Sequence, residues 1–342
     1  MSNVLIIRLS AFGDVAMLVP VVQSVASQHP RSKFYVLTRP AFTPLFNNLG
    51  FNISTIPLDV NGKHRGGRYL SIIPRLIIKL GITHVVDEHD VLRSKLIRWT
   101  MKLSGRKVVH IDKGREEKKK MIESKVLQPP LKSTIQRYLD TFEEAGFPAE
   151  ITFRDFFEFT DNSFSLIKEI TPPKNGRWIG VAPFSKHETK NYPLEKVANV
   201  IDRLAKETNN TIFLFGGGKK EKELLAQLKD GRSNVILPPK INLTKELHLI
   251  SHLDVMISMD SANMHLASLV QVPVVSIWGA THPSLGFYGF NQDIENAVQT
   301  EPDCRPCSVF GNVPCARGDY LCLTSINEDT IIEKVNKILN KE

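Results

Sequence analysis

An α/β fold of two Rossmann-like domains with mostly parallel sheets is the architecture this sequence predicts, and three observations carry it. Short apolar runs rich in valine and isoleucine alternate with amphipathic stretches of helical period, the pattern of βαβ units. The alternation breaks off at "TPPKNG", residues 171–176, and then restarts. Polar or glycine-bearing segments follow the apolar runs, which is where open parallel sheets place their ligands.

In the first half the predicted strands are "NVLIIRL", "KFYVLT", "ISTIPL", "THVVDE" and "KVVHID", with helical stretches such as "MLVPVVQSVASQH" and "HDVLRSKLIRWTMKL" between them. Paired prolines followed by Asn-Gly cannot continue a helix and favour a turn, so residues 171–176 are the expected linker. Behind it come strands at "WIGVAP", "TIFLFGG", "VILP", "DVMISM" and "PVVSIWG", and helices at "LEKVANVIDRLAKE", "KKEKELLAQLKD" and "TKELHLISHL". The expected domains are residues 1–170 and 171–342, with the last helix able to pack back on the first domain. The chemistry is expected in a central cleft.

Composition bounds the function. A chain of 342 residues suits two domains, and 42% hydrophobic with 23% charged residues is the balance of a soluble enzyme. The N-terminus lacks a signal peptide's basic and apolar regions, and no run reaches the length of a membrane span, so a cytoplasmic location is expected. The formal net charge of +8 favours an anionic partner: a nucleotide, a nucleic acid or an anionic membrane. No helical stretch carries the dense cationic stripe with interleaved aromatics common in nucleic-acid binders, so nucleic acid is not expected.

Candidate residues stand where strands end. "LSAFGD" after the first strand carries Ser10, Gly13 and Asp14 and reads as a tight loop presenting Asp14, although a turn aspartate alone would look the same. "FSKHETK" carries Ser185 and Lys190. "DSANMH" carries Asp260, Ser261, Ala262 and His265, where Ser261 or Asn263 would cap a helix whose free N–H groups and dipole favour a phosphate. A plain N-cap with a solvated aspartate and a packing histidine is the competing reading.

Together these stretches resemble glycosyltransferase family 9, the heptosyltransferases. The block "DSANMHLASLVQVPVVSIWGATHP" is similar to the family's D-S/T-G-x-x-H-L-A, G-x-P and F/W-G-x-T-x-P signature. The opening "VLIIRLSAFGDVAMLVPVV", the segment "DEHDVLRSKLIRWTMKLSG" and the loop "PFSKHETKNYPLEKVANVIDRL" resemble the remaining family segments in the same order.

The resemblance implies a GT-B type fold and inverting, metal-independent transfer of a heptose from ADP-heptose to a lipopolysaccharide inner-core acceptor. No cofactor is needed beyond the nucleotide-sugar donor. Asp14 would be the general base, Lys190 and Ser185 would meet the diphosphate, Asp260 the donor sugar, and Ser261, Ala262 and His265 the phosphate site. Ser10, Gly13, Arg65, Arg68 and Arg93 would face the acceptor. Two departures stand out. Ala262 replaces the family glycine, which would loosen the anion site or mark a different donor, and "GGGKKEKE" offers no clear ribose-binding acid. A transferase or epimerase acting on another nucleotide sugar, and a non-catalytic nucleotide or nucleic-acid binder, are the alternatives.

Two segments stand apart from this scheme. Cys304, Cys307, Cys315 and Cys322 either form a structural zinc site or remain reduced thiols bracing a loop. Lys63, Arg65, Arg68 and Arg75, interleaved with Tyr69, Leu70 and Ile72, suit a segment lying on anionic lipid or gripping acceptor phosphates, and hence peripheral contact with an anionic inner membrane.

Overall fold

The computed structural model describes residues 2–340, in two compact units. The first runs through Gly114 and resumes over Lys132–Asp161, and the second comprises Arg115–Leu131 and the chain from Asn162 onward. This division departs from a single cut at residue 170. Residues 115–131 belong to the second unit because distant groups hold them there. Lys118 lies 4.2 Å over the Phe287 ring, Lys125 Nζ donates to the carbonyls of Cys304 and Pro306, and Leu131 N donates to Ser284 O.

The sheet of the first unit contains β1 (Asn3–Ile7), β2 (Lys33–Thr38), β3 (Ile53–Pro57), β4 (His84–Asp87) and β5 (Lys107–His110), in the order β3-β2-β1-β4-β5 with every pair parallel. Val4, Leu5, Ile6 and Ile7 are fully buried. A central parallel strand covered on both faces reads as a continuous apolar run and not as an alternation. Helices α1 (Phe12–Gln28), α2 (Leu92–Leu103), α3 (Arg115–Ser124) and α4 (Thr134–Ala145) follow in chain order, α3 being the one assigned to the second unit. Ser133 caps α4 by accepting from Gln136 N, and Gly146, with φ of 96°, closes its other end.

The second sheet is formed by β6 (Arg177–Ala182), β7 (Asn210–Leu214), β8 (Val235–Ile236), β9 (Val255–Met259), β10 (Val274–Ile277) and the short β11 (Ala297–Val298), which has no counterpart among the predicted strands. Its order is β11-β10-β9-β6-β7-β8, again all parallel. The helices α5 (Leu194–Ala205), α6 (Lys219–Lys229), α7 (Leu243–Ser251), α8 (Ala262–Leu269), α9 (Leu321–Thr324) and α10 (Glu328–Leu339) complete the unit. Helix α10 buries Ile331 and Val335 in a core shared with α5 and the sheet of this unit.

In each unit the strand order reverses beside the first strand, between β1 and β4 and between β6 and β9. Those two switch points are where an open parallel sheet leaves a crevice at its carboxyl edge.

Candidate active site

At the switch point of the first unit, Arg8 follows β1 and is 5% exposed. Its guanidinium lies 2.6 Å from Asp14 Oδ2, donates to the Glu88 carbonyl and stands 5.9 Å from the Tyr138 ring centroid. Asp14 does not sit in a loop, as the sequence suggested. Helix α1 begins at Phe12, so Gly13 and Asp14 lie in its first turn. There Asp14 Oδ2 accepts from Ala11 N at 3.1 Å. Ala11 has no side chain with which to cap, and the third-position carboxylate ties the helix start instead. Tyr138 Oη donates to the Asp14 carbonyl at 3.1 Å, fixing the backbone from behind. The carboxylate is 25% exposed while its arginine partner is buried.

The neighbouring groups make this edge cationic. Burial alone would depress the Arg8 pKa, but Tyr138, Asp14 and Glu88 outweigh it and hold the value above that of ordinary arginine. Ser10 Oγ lies 3.2 Å from His89 Nε2. Burial, then Arg8, Lys113 and Arg39, push His89 down to about 3, so the imidazole is neutral in neutral solution. Glu88 is fully buried, and burial raises its carboxyl well above the usual range against the pull of Arg8, favouring the protonated form. Asp87 locks the loop behind them, accepting from His89 N and Asp90 N at 3.0 Å each and from Arg98 at 3.1 Å. The sequence alone assigns no role to His89 and Glu88. Their signal was the polar "DEHD" directly after an apolar strand.

Arg93, at the start of α2, lies 5.5 Å from the Tyr69 ring centroid, and Arg65 and Arg68 are exposed on the same segment as Tyr69, between β3 and β4. The lipid-facing reading of that segment fails in part, because Tyr69 and Ile72 are 6% and 7% exposed and pack in the core of the first unit.

At the switch point of the second unit, Asp260 ends β9. Its Oδ2 lies 3.0 Å from Lys190 Nζ and accepts from Thr281 Oγ1 at 2.7 Å, with both ion-pair side chains nearly buried. Lys190 is placed by a loop that folds on itself. Ser185 N donates to Asn191 Oδ1 at 2.6 Å and Ser185 Oγ to His187 O at 2.9 Å, so both groups expected to meet phosphate are engaged within the loop. Two glycines let the loop dock. A Cβ on Gly279 would stand 2.6 Å from Thr189 O, and one on Gly311, which has φ of 75°, would stand 2.6 Å from Lys190 Cγ. Thr281, within "GATHP", is a site residue that sequence reasoning passed over.

Ser261 is the N-cap residue of α8, but its hydroxyl pairs with Ser258 Oγ at 3.2 Å and does not cap the helix. The first N–H groups of α8 are thus without a side-chain cap. Ala262 is the first residue of the helix, partly exposed, and is not among the residues with positive φ, so no backbone strain calls for glycine here. His265, one turn in, is 6% exposed. At the end of β7, Glu221 Oε2 accepts from Gly217 N at 2.7 Å, an acid in the run where none had been assigned. It closes the start of α6, three residues after the Gly218 N-cap.

The zinc reading is not supported. All four cysteines are free, and among the described residues no group of three or more His, Cys, Asp or Glu side chains could hold a metal ion. Burial pushes the Cys307 thiol up and the Cys322 thiol up to about 11, which keeps both protonated. The segment is organised instead by Arg305, 2% exposed, whose guanidinium donates to the carbonyls of Gly279, Thr281 and Thr300 and to Glu301 and Gln299. Cys307 N donates to Ala280 O at 2.9 Å. The cysteine segment therefore braces the loop beside Lys190.

A family profile described as glycosyltransferase family 9 (heptosyltransferase) matches residues 81–312, more than half of the chain. The chain belongs to this family. Among curated relatives of this family 9 member, lipopolysaccharide heptosyltransferase 1 from Campylobacter coli is 26% identical over 202 residues, 57% of this chain and 57% of its own length. The lipopolysaccharide core heptosyltransferase OpsX of Haemophilus influenzae is 22% identical over 97% of this chain and 96% of its own. The solved structure of E. coli heptosyltransferase WaaC with ADP matches at a TM-score of 0.70 and 18% identity, covering 98% of this chain and 99% of that one. The fold is accordingly GT-B, and the family member is a glycosyltransferase of the lipopolysaccharide heptosyltransferase group.

Proposed function

We propose that this enzyme moves a heptose from ADP-heptose to an inner-core lipopolysaccharide acceptor, with inversion and without a metal ion, at the cytoplasmic side of the inner membrane. The observation that carries the reading is the Arg8–Asp14 pair, a partly exposed carboxylate held by a buried cation at the switch point of the first sheet.

In such a transfer the acceptor hydroxyl loses a proton while its oxygen attacks the anomeric carbon from the face opposite the departing diphosphate. Asp14 takes that proton. Arg8 and the bond from Ala11 N hold the carboxylate in one orientation, so little reorganisation accompanies the step. Ser10, Gly13 and the cationic side chains of this edge, Arg93 among them, would meet the acceptor, together with Arg65 and Arg68 on the segment that carries Tyr69.

The second unit holds the donor in this reading. Charge growing on the leaving diphosphate is met by the Lys190 ammonium and by the uncapped N–H groups at the start of α8, with Ser261, Ala262 and His265 lining that end. Asp260 keeps Lys190 in place through Oδ2 and offers Oδ1 to donor-sugar hydroxyls. Ser185 contributes by shaping the Lys190 loop. Fixed protein charge and dipoles take the part that a divalent ion plays in other nucleotide-sugar transferases.

Calorimetric titration of the purified chain with ADP, UDP, GDP and CMP, in chelator, tests the donor assignment. Selective ADP binding is expected. Preference for another base would change the donor, and no binding to any of the four would overturn the proposed nucleotide-sugar donor site.

A further inference from the structure

Helix α2 has two apolar faces. One buries Ser94, Ile97 and Met101 against the first sheet. On the other, Leu92, Leu96, Trp99 and Leu103 are 77%, 39%, 62% and 70% exposed. Their spacing of four, three and four residues keeps them within about 60° of the helix circumference, opposite the packed face. A solvent face is ordinarily polar, so four large apolar groups in a row mark a surface that meets something other than water.

The flanking charge identifies what it meets. The helix "LRSKLIRWTMKL" contains no acidic residue. Lys102 is exposed beside the stripe, and Lys95, 46% exposed, stands 3.6 Å from Asp90. Arg98, by contrast, is turned inward onto Asp87 and Asp90. An apolar stripe carrying a tryptophan and edged by lysines is the pattern of a helix lying in the plane of an anionic lipid interface, with aromatic and leucine side chains among the acyl chains and ammonium groups at the headgroups. We propose that α2 seats the first unit on an anionic bilayer surface through Leu92, Leu96, Trp99 and Leu103, with Lys95 and Lys102 at the headgroups. The helix starts at Arg93 and Leu92, on the carboxyl edge of β4 that also carries Glu88 and His89, so docking brings the acceptor-side edge close to a lipid-borne sugar. That purpose rests on the proposed acceptor, but the docking itself does not. It also takes the lipid-facing part expected of Tyr69 and Ile72, whose side chains are buried.

The molecule carries its own probe. Of the three tryptophans, Trp178 and Trp278 are fully buried, so a change in emission on adding lipid reports Trp99. The full chain is mixed with vesicles of phosphatidylglycerol and phosphatidylcholine, and separately with phosphatidylcholine alone. A blue shift with co-sedimentation is expected, with apparent affinity about tenfold stronger for the anionic vesicles and falling with salt. The double variant Leu96→Glu/Leu103→Glu replaces exposed side chains only, so its circular dichroism and melting should match wild type. Its vesicle binding should fall at least tenfold, with turnover on a water-soluble, delipidated acceptor unchanged.

Unshifted Trp99 emission with anionic vesicles, or equal binding by the double variant, would overturn the proposal. So would a shift produced by protein concentration alone and lost in the variant, which would assign the stripe to a second copy of the chain. Absence of transfer from ADP-heptose in both proteins would strike the proposed function and leave the vesicle result standing.

Discussion

The two switch points use the same pair of charges in opposite ways. In the first unit the cation is buried and the carboxylate is open: Arg8 is 6% and Asp14 25% exposed, 2.6 Å apart. In the second both are nearly closed off, Lys190 at 13% and Asp260 at 9%, 3.0 Å apart, and Thr281 takes the same carboxylate oxygen. A carboxylate presented by a fixed guanidinium suits proton abstraction, whereas a carboxylate consumed in holding an ammonium suits anchoring of a positive charge. Arginine is the better buried partner, because its charge survives desolvation. Lysine, a compact charge on a flexible stem, is the better group to hand from Asp260 to an arriving phosphate. Similar inventories at similar places in two sheets thus support different roles.

Three substitutions would break or sharpen this contrast. The largest effect is expected from Arg8→Met, which removes a buried cation and leaves Asp14 and the Glu88 carbonyl without their partner. Stability in denaturant titrations should fall by about 3 kcal/mol. An effect below 1 kcal/mol would mean that the pair is solvent-screened after all. Next comes acid sensitivity. His89 has its value lowered from 6.5 to about 3 in the native state, so the unfolded chain binds the extra proton between those values, and the native state loses stability as pH falls through them. Glu88 works in the other direction, since its raised value makes the native state the better proton binder above the ordinary carboxyl range. His89→Gln should therefore gain about 3 kcal/mol on wild type between pH 6.5 and pH 4 in the same titrations. Parallel pH profiles for the two proteins would mean that burial and the cationic neighbours do not hold His89 neutral. The smallest effect belongs to the second unit. Lys190→Met should weaken ADP affinity about tenfold to a hundredfold by calorimetry, the loss of one charge-assisted bond. Unchanged ADP affinity would leave Lys190 as a purely structural partner of Asp260.

Much of this was legible in the sequence, for reasons that also mark where legibility stops. The ten predicted strands are all present, the central ones because parallel strands covered on both faces are apolar throughout. Asp14, Lys190 and Asp260 stand out by the same periodicity, as polar residues in the segments that follow strands. What a single segment could not reveal was its long-range partner. Asp14 reads as a loop residue until its carboxylate is seen closing the start of α1, and Ser185 reads as a phosphate ligand until Asn191 and the His187 carbonyl are seen to claim it. Residues 115–131 belong to the second unit through Phe287, Cys304 and Pro306, more than 160 positions away. The cysteines drew attention to a metal, while the residue that organises their segment is Arg305. In α2, apolar residues on both faces hid which face is packed, so the exposed stripe appears only once Ile97 and Met101 are known to be buried.

The comparison rests most directly on Asp14. Asp14→Asn keeps the size of the side chain and an oxygen for Ala11 N, so the purified variant should retain its fold and wild-type ADP affinity. Turnover with ADP-heptose and a delipidated inner-core acceptor should fall by about a thousandfold, within the usual range for removing a general base. Turnover within a factor of ten of wild type, with ADP affinity intact, would show that the open carboxylate of the first switch point is not the base.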